Sequence, residues 1–178
     1  MDFTIITLNA AAKAMSDTVL PTLSAAGNGP ALEQAHLVRD AIEYARDRVD
    51  LIGERRRTEA IDQTDLIAQL LALGALGDDT AVALAEARTT ALRSLADPAT
   101  SAEQTAAIIS VLGERITALL AEIDSAAPES RAQVERAVLD HALRRLELDR
   151  AWLLPLGFDP EPSSVRDLRG LLAQTRLG

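Results

Sequence analysis

The chain has no cysteine and two histidines, and aromatic residues make up 2% of its 178 positions. Each scarcity excludes something. Without cysteine there is no disulfide framework, no thiol nucleophile and no thiolate metal site. Two histidines rule out any centre that needs three. The aromatic set is Phe3, Tyr44, Trp152 and Phe158, too few for a β-sandwich core, which draws on aromatic and β-branched residues. Lysine is almost absent as well: Lys13 is the single one among 18 basic residues. The net charge of −9 opposes general binding to nucleic acid or an anionic membrane. No uninterrupted run approaches the ~20 apolar residues of a membrane span, and the N-terminus lacks the positive region of a secretory signal. A cytoplasmic protein is the expectation.

What the chain does have is alanine and leucine, 33 and 28 residues respectively. Both favour helices, and alanine lets helices pack closely. With arginine in place of lysine, the alanine excess reads as the codon bias of a GC-rich bacterium.

The apolar periodicity is helical throughout. Ile5, Leu8, Ala12, Met15 and Val19 alternate three and four residues apart and draw one seam. Pro21 should kink or end that helix, and Gly27-Asn28-Gly29-Pro30 breaks it. A second helix is predicted from Pro30 to about Glu59, with its seam on Ala35, Val38, Ile42, Ala45, Val49 and Ile52. Leu37, Tyr44 and Leu51 form a second row on that helix, so it should touch neighbours on two sides. Thr64-Asp65 reads as the N-cap of a deeply buried helix from Leu66 to Leu76. A fourth helix follows Gly77-Asp78-Asp79 and stops at Asp97-Pro98. The fifth opens on overlapping capping boxes within Thr100–Gln104, and its seam runs from Ile109 through Leu112, Ile116, Leu119 and Ile123 to Ala126. The sixth runs from Pro128 to about Leu154, and a last amphipathic helix from Val165 to Arg176.

The fold class predicted is therefore all-α: an antiparallel up-and-down helical bundle of about four long helices plus two or three shorter ones. One domain is expected over 1–158, then a Pro-rich linker over 159–164, then a helix over 165–178 that packs on the bundle or on a partner.

Chemistry is sparse. Glu33-x-x-His36 has the spacing of a di-iron ligand pair, but the second pair is missing and the first helix carries no glutamate, so no metal or other cofactor is expected. There is no phosphate loop and no nucleophile elbow. Arg55-Arg56-Arg57, flanked by Glu54 and Glu59, reads as a solvated helix face. The sixth helix carries the one polar interruption: His141, Arg145 and Asp149 fall among Val134, Val138, Leu148 and Trp152 on a face that otherwise wants burial. Leu139, Ala142 and Leu146 are read as continuing that apolar side. Buried charges must be paired, so His141, Arg145 and Asp149 should form or join a hydrogen-bonded network, structural or ligand-binding.

These features point to a non-enzymatic interaction protein, such as an adaptor, inhibitor or assembly factor, acting through apolar helix faces. Leu37, Tyr44, Leu51 and Trp152 are its candidate interface, in a homodimer or with another protein. The alternative is a small-molecule binder or small helical enzyme with a pocket around His141, Arg145 and Asp149. A DNA-binding regulator comes last, because no helix is basic.

Overall fold

The structure is a computed structural model that describes residues 3–74, 76–123 and 127–174. Asp2, Ala126, Arg176 and Leu177, which figure in the expected helices, lie outside that range. The fold is all-α, and no strand occurs among the described residues. Helices are α1 (Phe3–Ala14), α2 (Leu20–Ala25), α3 (Gly29–Arg48), α4 (Ile52–Ala72), α5 (Asp78–Ala96), α6 (Ala102–Glu122), α7 (Pro128–Leu153) and α8 (Leu168–Gln174).

The chain divides into two compact units. One comprises residues up to Ile52 together with Pro155–Asp159; the other comprises Gly53–Leu154 and the residues from Pro160 onward. The division falls inside the span read from the sequence as one domain.

In the first unit, α1 and α2 pack on α3. A π-turn, Met15–Val19, precedes Pro21, and Leu20 N–H donates to the Met15 carbonyl five residues back. The wider turn accommodates a proline that has no amide donor and would crowd a regular α-turn. Gly27 takes φ +65°, a left-handed conformation suited to glycine. Asn28 then caps α3 by accepting from Ala31 N–H at 3.2 Å. The buried apolar residues of these helices, Ala12, Leu20 and Ala35, are mostly small.

The predicted second helix does not run unbroken to Glu59. A 3-10 turn at Val49–Leu51 ends α3, next to a β-branched residue, an aspartate and Gly53, all weak helix formers. The seam is interrupted accordingly: Ala35 is buried, whereas Val38 and Ile52 are exposed. Conversely, Thr64-Asp65 is not a helix start. Both lie inside α4, where buried Thr64 donates its hydroxyl back to the Ile61 carbonyl at 2.8 Å. That local bond satisfies a threonine within a helix as well as at its cap. The helix ends at Ala72, and Gly74 at φ +62° turns the chain. Leu73, expected inside, is consequently exposed.

The second unit carries the main core. Leu66, Ile67 and Leu70 of α4 meet Leu84 and Ala91 of α5, Leu112, Ile116 and Leu119 of α6, and Val134 of α7. A fully buried leucine contributes about 1.5–3 kcal/mol, so this cluster dominates the unit's stability. Polar contacts join the ends of these helices. Arg57 at the start of α4 donates to the Leu95 carbonyl at the end of α5, and Arg56 donates to Ala102 at the start of α6. Thr80 at the start of α5 donates to Glu122 at the end of α6. Of the two capping boxes available to α6, the one used is Ser101–Gln104; Thr100 donates to the Ser94 carbonyl instead. Among the described helices, α6 is long and apolar enough in composition to cross a membrane. Here its Leu112, Ile116 and Leu119 face the core.

Asp167 opens α8, accepting from Gly170 N–H at 2.7 Å, which starts the last helix later than Val165. α8 packs on α7, and its Leu168 and Leu172 are buried within this same chain.

Candidate functional site

The polar interruption of α7 becomes an ion-pair cluster bridging α7 and α4. Asp149 accepts from Arg55 Nη2 at 2.5 Å, and Glu59 accepts from Arg55 Nε at 3.2 Å and from Arg145 Nη2 at 3.4 Å. Arg145 also lies 3.9 Å from Asp149. Glu59 is the most enclosed member, with 11% of its side chain exposed. The Arg55 guanidinium stacks over the Trp152 ring at 4.5 Å from its centroid. Opposite charges alternate, so each carboxylate withdrawn from water is compensated, and the arginine covers the apolar ring with its flat cationic face.

Sequence reasoning found Arg145 and Asp149 and missed Arg55 and Glu59. The basic run read as a solvated face reaches three different helices: Arg55 to α7, Arg56 to α6 and Arg57 to α5. Successive helix residues diverge by about 100°, so three neighbouring arginines can reach three neighbouring helices. The available signal was the Arg55/Glu59 pair at i, i+4 opposite the Arg145/Asp149 pair at the same spacing.

His141 is near this cluster in sequence but not bonded into it. Its Nδ1 is buried and has no hydrogen-bond partner among the described residues. Burial, then the charges of Arg144 and Arg145, lower the imidazole's affinity for a proton and so favour the neutral ring. Gln63 is a second buried polar group with an unmatched atom, Oε1; its amide faces Gly113 of α6, where an added Cβ would meet Gln63 Nε2 at 3.9 Å.

A groove of about 1200 Å³ opens among α4, α5, α7 and α8. On α7 it is lined by Arg144, Glu147 and Leu148, and His141, Arg145 and Asp149 take no part in it. Burial, the largest influence, raises Asp62 at this groove above the ordinary carboxylate range. Arg144 opposes that rise, and Asp65 and Glu59 add to it. The expected interface residues differ in exposure. Leu51 and Trp152 are buried, Tyr44 is half-buried under Arg48 at 5.7 Å, and Leu37 is exposed. Glu33 and His36 are both exposed on α3. Comparison with protein-family models, curated proteins and solved structures finds no match.

The more distinctive surface is the far side of α7. Leu139, Leu143, Leu146 and Leu153 are 63%, 63%, 54% and 49% exposed. They are spaced four, three and seven residues apart, a straight stripe on a 26-residue helix about 39 Å long. It lies opposite the face that carries Val134 and Leu148 into the core. Leu139 and Leu146, which the sequence pattern assigns to the inner side, belong to this outer stripe. Leucine periodicity alone does not distinguish the two faces of a helix that is apolar on both.

Proposed function

We propose that this protein is a non-enzymatic helical interaction protein, of the adaptor, inhibitor or assembly-factor kind, that docks an amphipathic partner helix along α7. The observation that supports it is the exposed leucine stripe, whose four-three-seven spacing suits a partner helix of the same heptad pattern. Exposed Asp140 stands beside the stripe together with exposed Arg136 and Arg144, so its flanks carry both signs, while the whole chain carries −9. The net charge of the chain favours a partner of net positive charge. Homodimerisation through the same stripe is the second reading. It matches the seam equally well but brings together two chains of like charge. A bacterial, cytoplasmic setting belongs with either reading.

The test uses a labelled helical peptide with leucine at the seam and lysine on both flanks, titrated by fluorescence anisotropy. Binding is expected in the micromolar range and should weaken at least about tenfold for Leu143→Glu. Equal binding of a glutamate-flanked peptide, or no loss with Leu143→Glu, overturns the reading. Sedimentation of the protein alone, with and without Leu143→Glu, shows whether a second copy is the occupant.

A further inference from the structure

The groove among α4, α5, α7 and α8 holds charges of both signs, only some of them tied into ion pairs among the described residues. Arg57 is anchored on the Leu95 carbonyl and Arg88 on the Thr64 carbonyl at 3.0 Å, so both are fixed by neutral acceptors and not by carboxylates. Each guanidinium has five N–H donors and commits one here. Arg144, from α7, and Asp62, on α4, make no hydrogen bond or direct ion pair among the described residues, and they interact with each other only through space. The fourth groove arginine, Arg166, is matched internally by Glu147 at 3.3 Å. Between these charges lie the aliphatic side chains of Ile61, Leu92, Leu95, Leu148 and Leu171, with Thr58, Thr64 and Gln174 among them.

Arg57 and Arg144 are exposed and Asp62 is half-buried, so their spare hydrogen-bonding capacity is met by water that a ligand of opposite charge can displace. A simple anion would satisfy the arginines but face Asp62 and Asp65, and a simple cation would meet the reverse penalty. A ligand carrying both charges on an aliphatic body satisfies both sets and covers the leucines. We infer that the groove is a binding site for an apolar zwitterion, the chemistry shared by a free aliphatic amino acid and a short aliphatic peptide. Its carboxylate sits on Arg144 with the carbonyl-anchored arginines, and its ammonium on Asp62. The volume exceeds what a single amino acid fills, so the peptide is the expected tighter ligand. Burial raises the proton affinity of Asp62 and Arg144 only partly opposes it, so a ligand ammonium would add to that compensation. This site is independent of the α7 stripe, since no stripe leucine lines the groove.

Isothermal titration of the full chain with four probes tests this: leucine, trileucine, 4-methylpentanoate (leucine without its ammonium) and 3-methylbutylamine (leucine without its carboxylate). Leucine or trileucine should bind, and the two single-charge analogues should bind at least about tenfold more weakly than leucine. Arg144→Gln should lower leucine to the level of the amine, and Asp62→Asn should lower it to the level of the acid. Unchanged Trp152 emission and far-ultraviolet circular dichroism show that each variant is folded. The tighter of leucine and trileucine identifies the source of the zwitterion. The inference is overturned if 4-methylpentanoate binds as well as leucine, if the amine does, if neither variant changes the affinity, or if no probe saturates by about 10 mM.

Discussion

Replacing Arg55 with methionine removes one guanidinium from three contacts at once, while the methionine stem still covers the Trp152 ring. The ion pairs are with Asp149 at 2.5 Å and Glu59 at 3.2 Å, and the stack on Trp152 is at 4.5 Å. A hydrogen bond to a charged group contributes about 1.5–3 kcal/mol, and a cation over an aromatic face about 0.5–2 kcal/mol. Two effects reduce the sum. The Arg55 side chain is 21% exposed, so solvent screens part of each pair. Glu59 and Asp149 also keep Arg145 as a second cation, at 3.4 Å and 3.9 Å. The expected loss is about 2–4 kcal/mol, or roughly 5–15 °C in the unfolding midpoint for a chain of this length. Trp152, the single tryptophan, lies in the unit under test, so its fluorescence in a urea titration reports that unit directly. Adding Glu59→Gln to Arg55→Met should cost less than the sum of the two single changes, by about 1 kcal/mol or more, because the first change already removes one of the carboxylate's two cations. A loss below about 0.5 kcal/mol, the scale of an ordinary surface substitution, together with additive double changes, would refute the reasoning. The cluster would then be a screened surface feature and not a tie between α4 and α7.

Two further outcomes follow from the packing and the charges. His141 has a lowered affinity for protons in the fold, so above its ordinary value of 6.5 the folded and unfolded chains are equally neutral there. As pH falls through that value, the unfolded chain takes up the proton and the folded chain resists it, so stability should decline. His141→Gln should flatten that decline between about pH 7.5 and 5.5 in urea titrations; an unchanged slope would show that the ring is not desolvated. Truncation after Asp159 removes the helix that carries buried Leu168 and Leu172. It should lower the stability of the second unit by about 2 kcal/mol, less than full leucine burial because ordering α8 has its own entropic cost. An unchanged Trp152 unfolding midpoint would mean that α8 contributes nothing to this fold.

The sequence by itself determined the class of structure. Alanine and leucine at three-four spacing leave a chain nothing to do but form helices and bury their seams, and the breaks at Gly27-Asn28 and Asp97-Pro98 are local chemistry readable in place. The core positions Leu112, Ile116 and Leu119 were legible for the same reason. Where local signals conflict, sequence is ambiguous. Thr64-Asp65 has the composition of a cap, and only packing against α5 makes it helix interior, with Thr64 buried and its carbonyl accepting from Arg88. The polar group on α7 was visible because charges interrupted an apolar face, but its partners were not. Arg55 and Glu59 lie 94 and 86 residues from Asp149 and Arg145, and no local pattern encodes which helix becomes the neighbour. The same holds for the leucines of α7. Spacing places Leu139, Leu143 and Leu146 on one line, and tertiary packing alone decides that the line faces outward, because α7 has one core to fill and Val134, Leu148 and Trp152 already fill it.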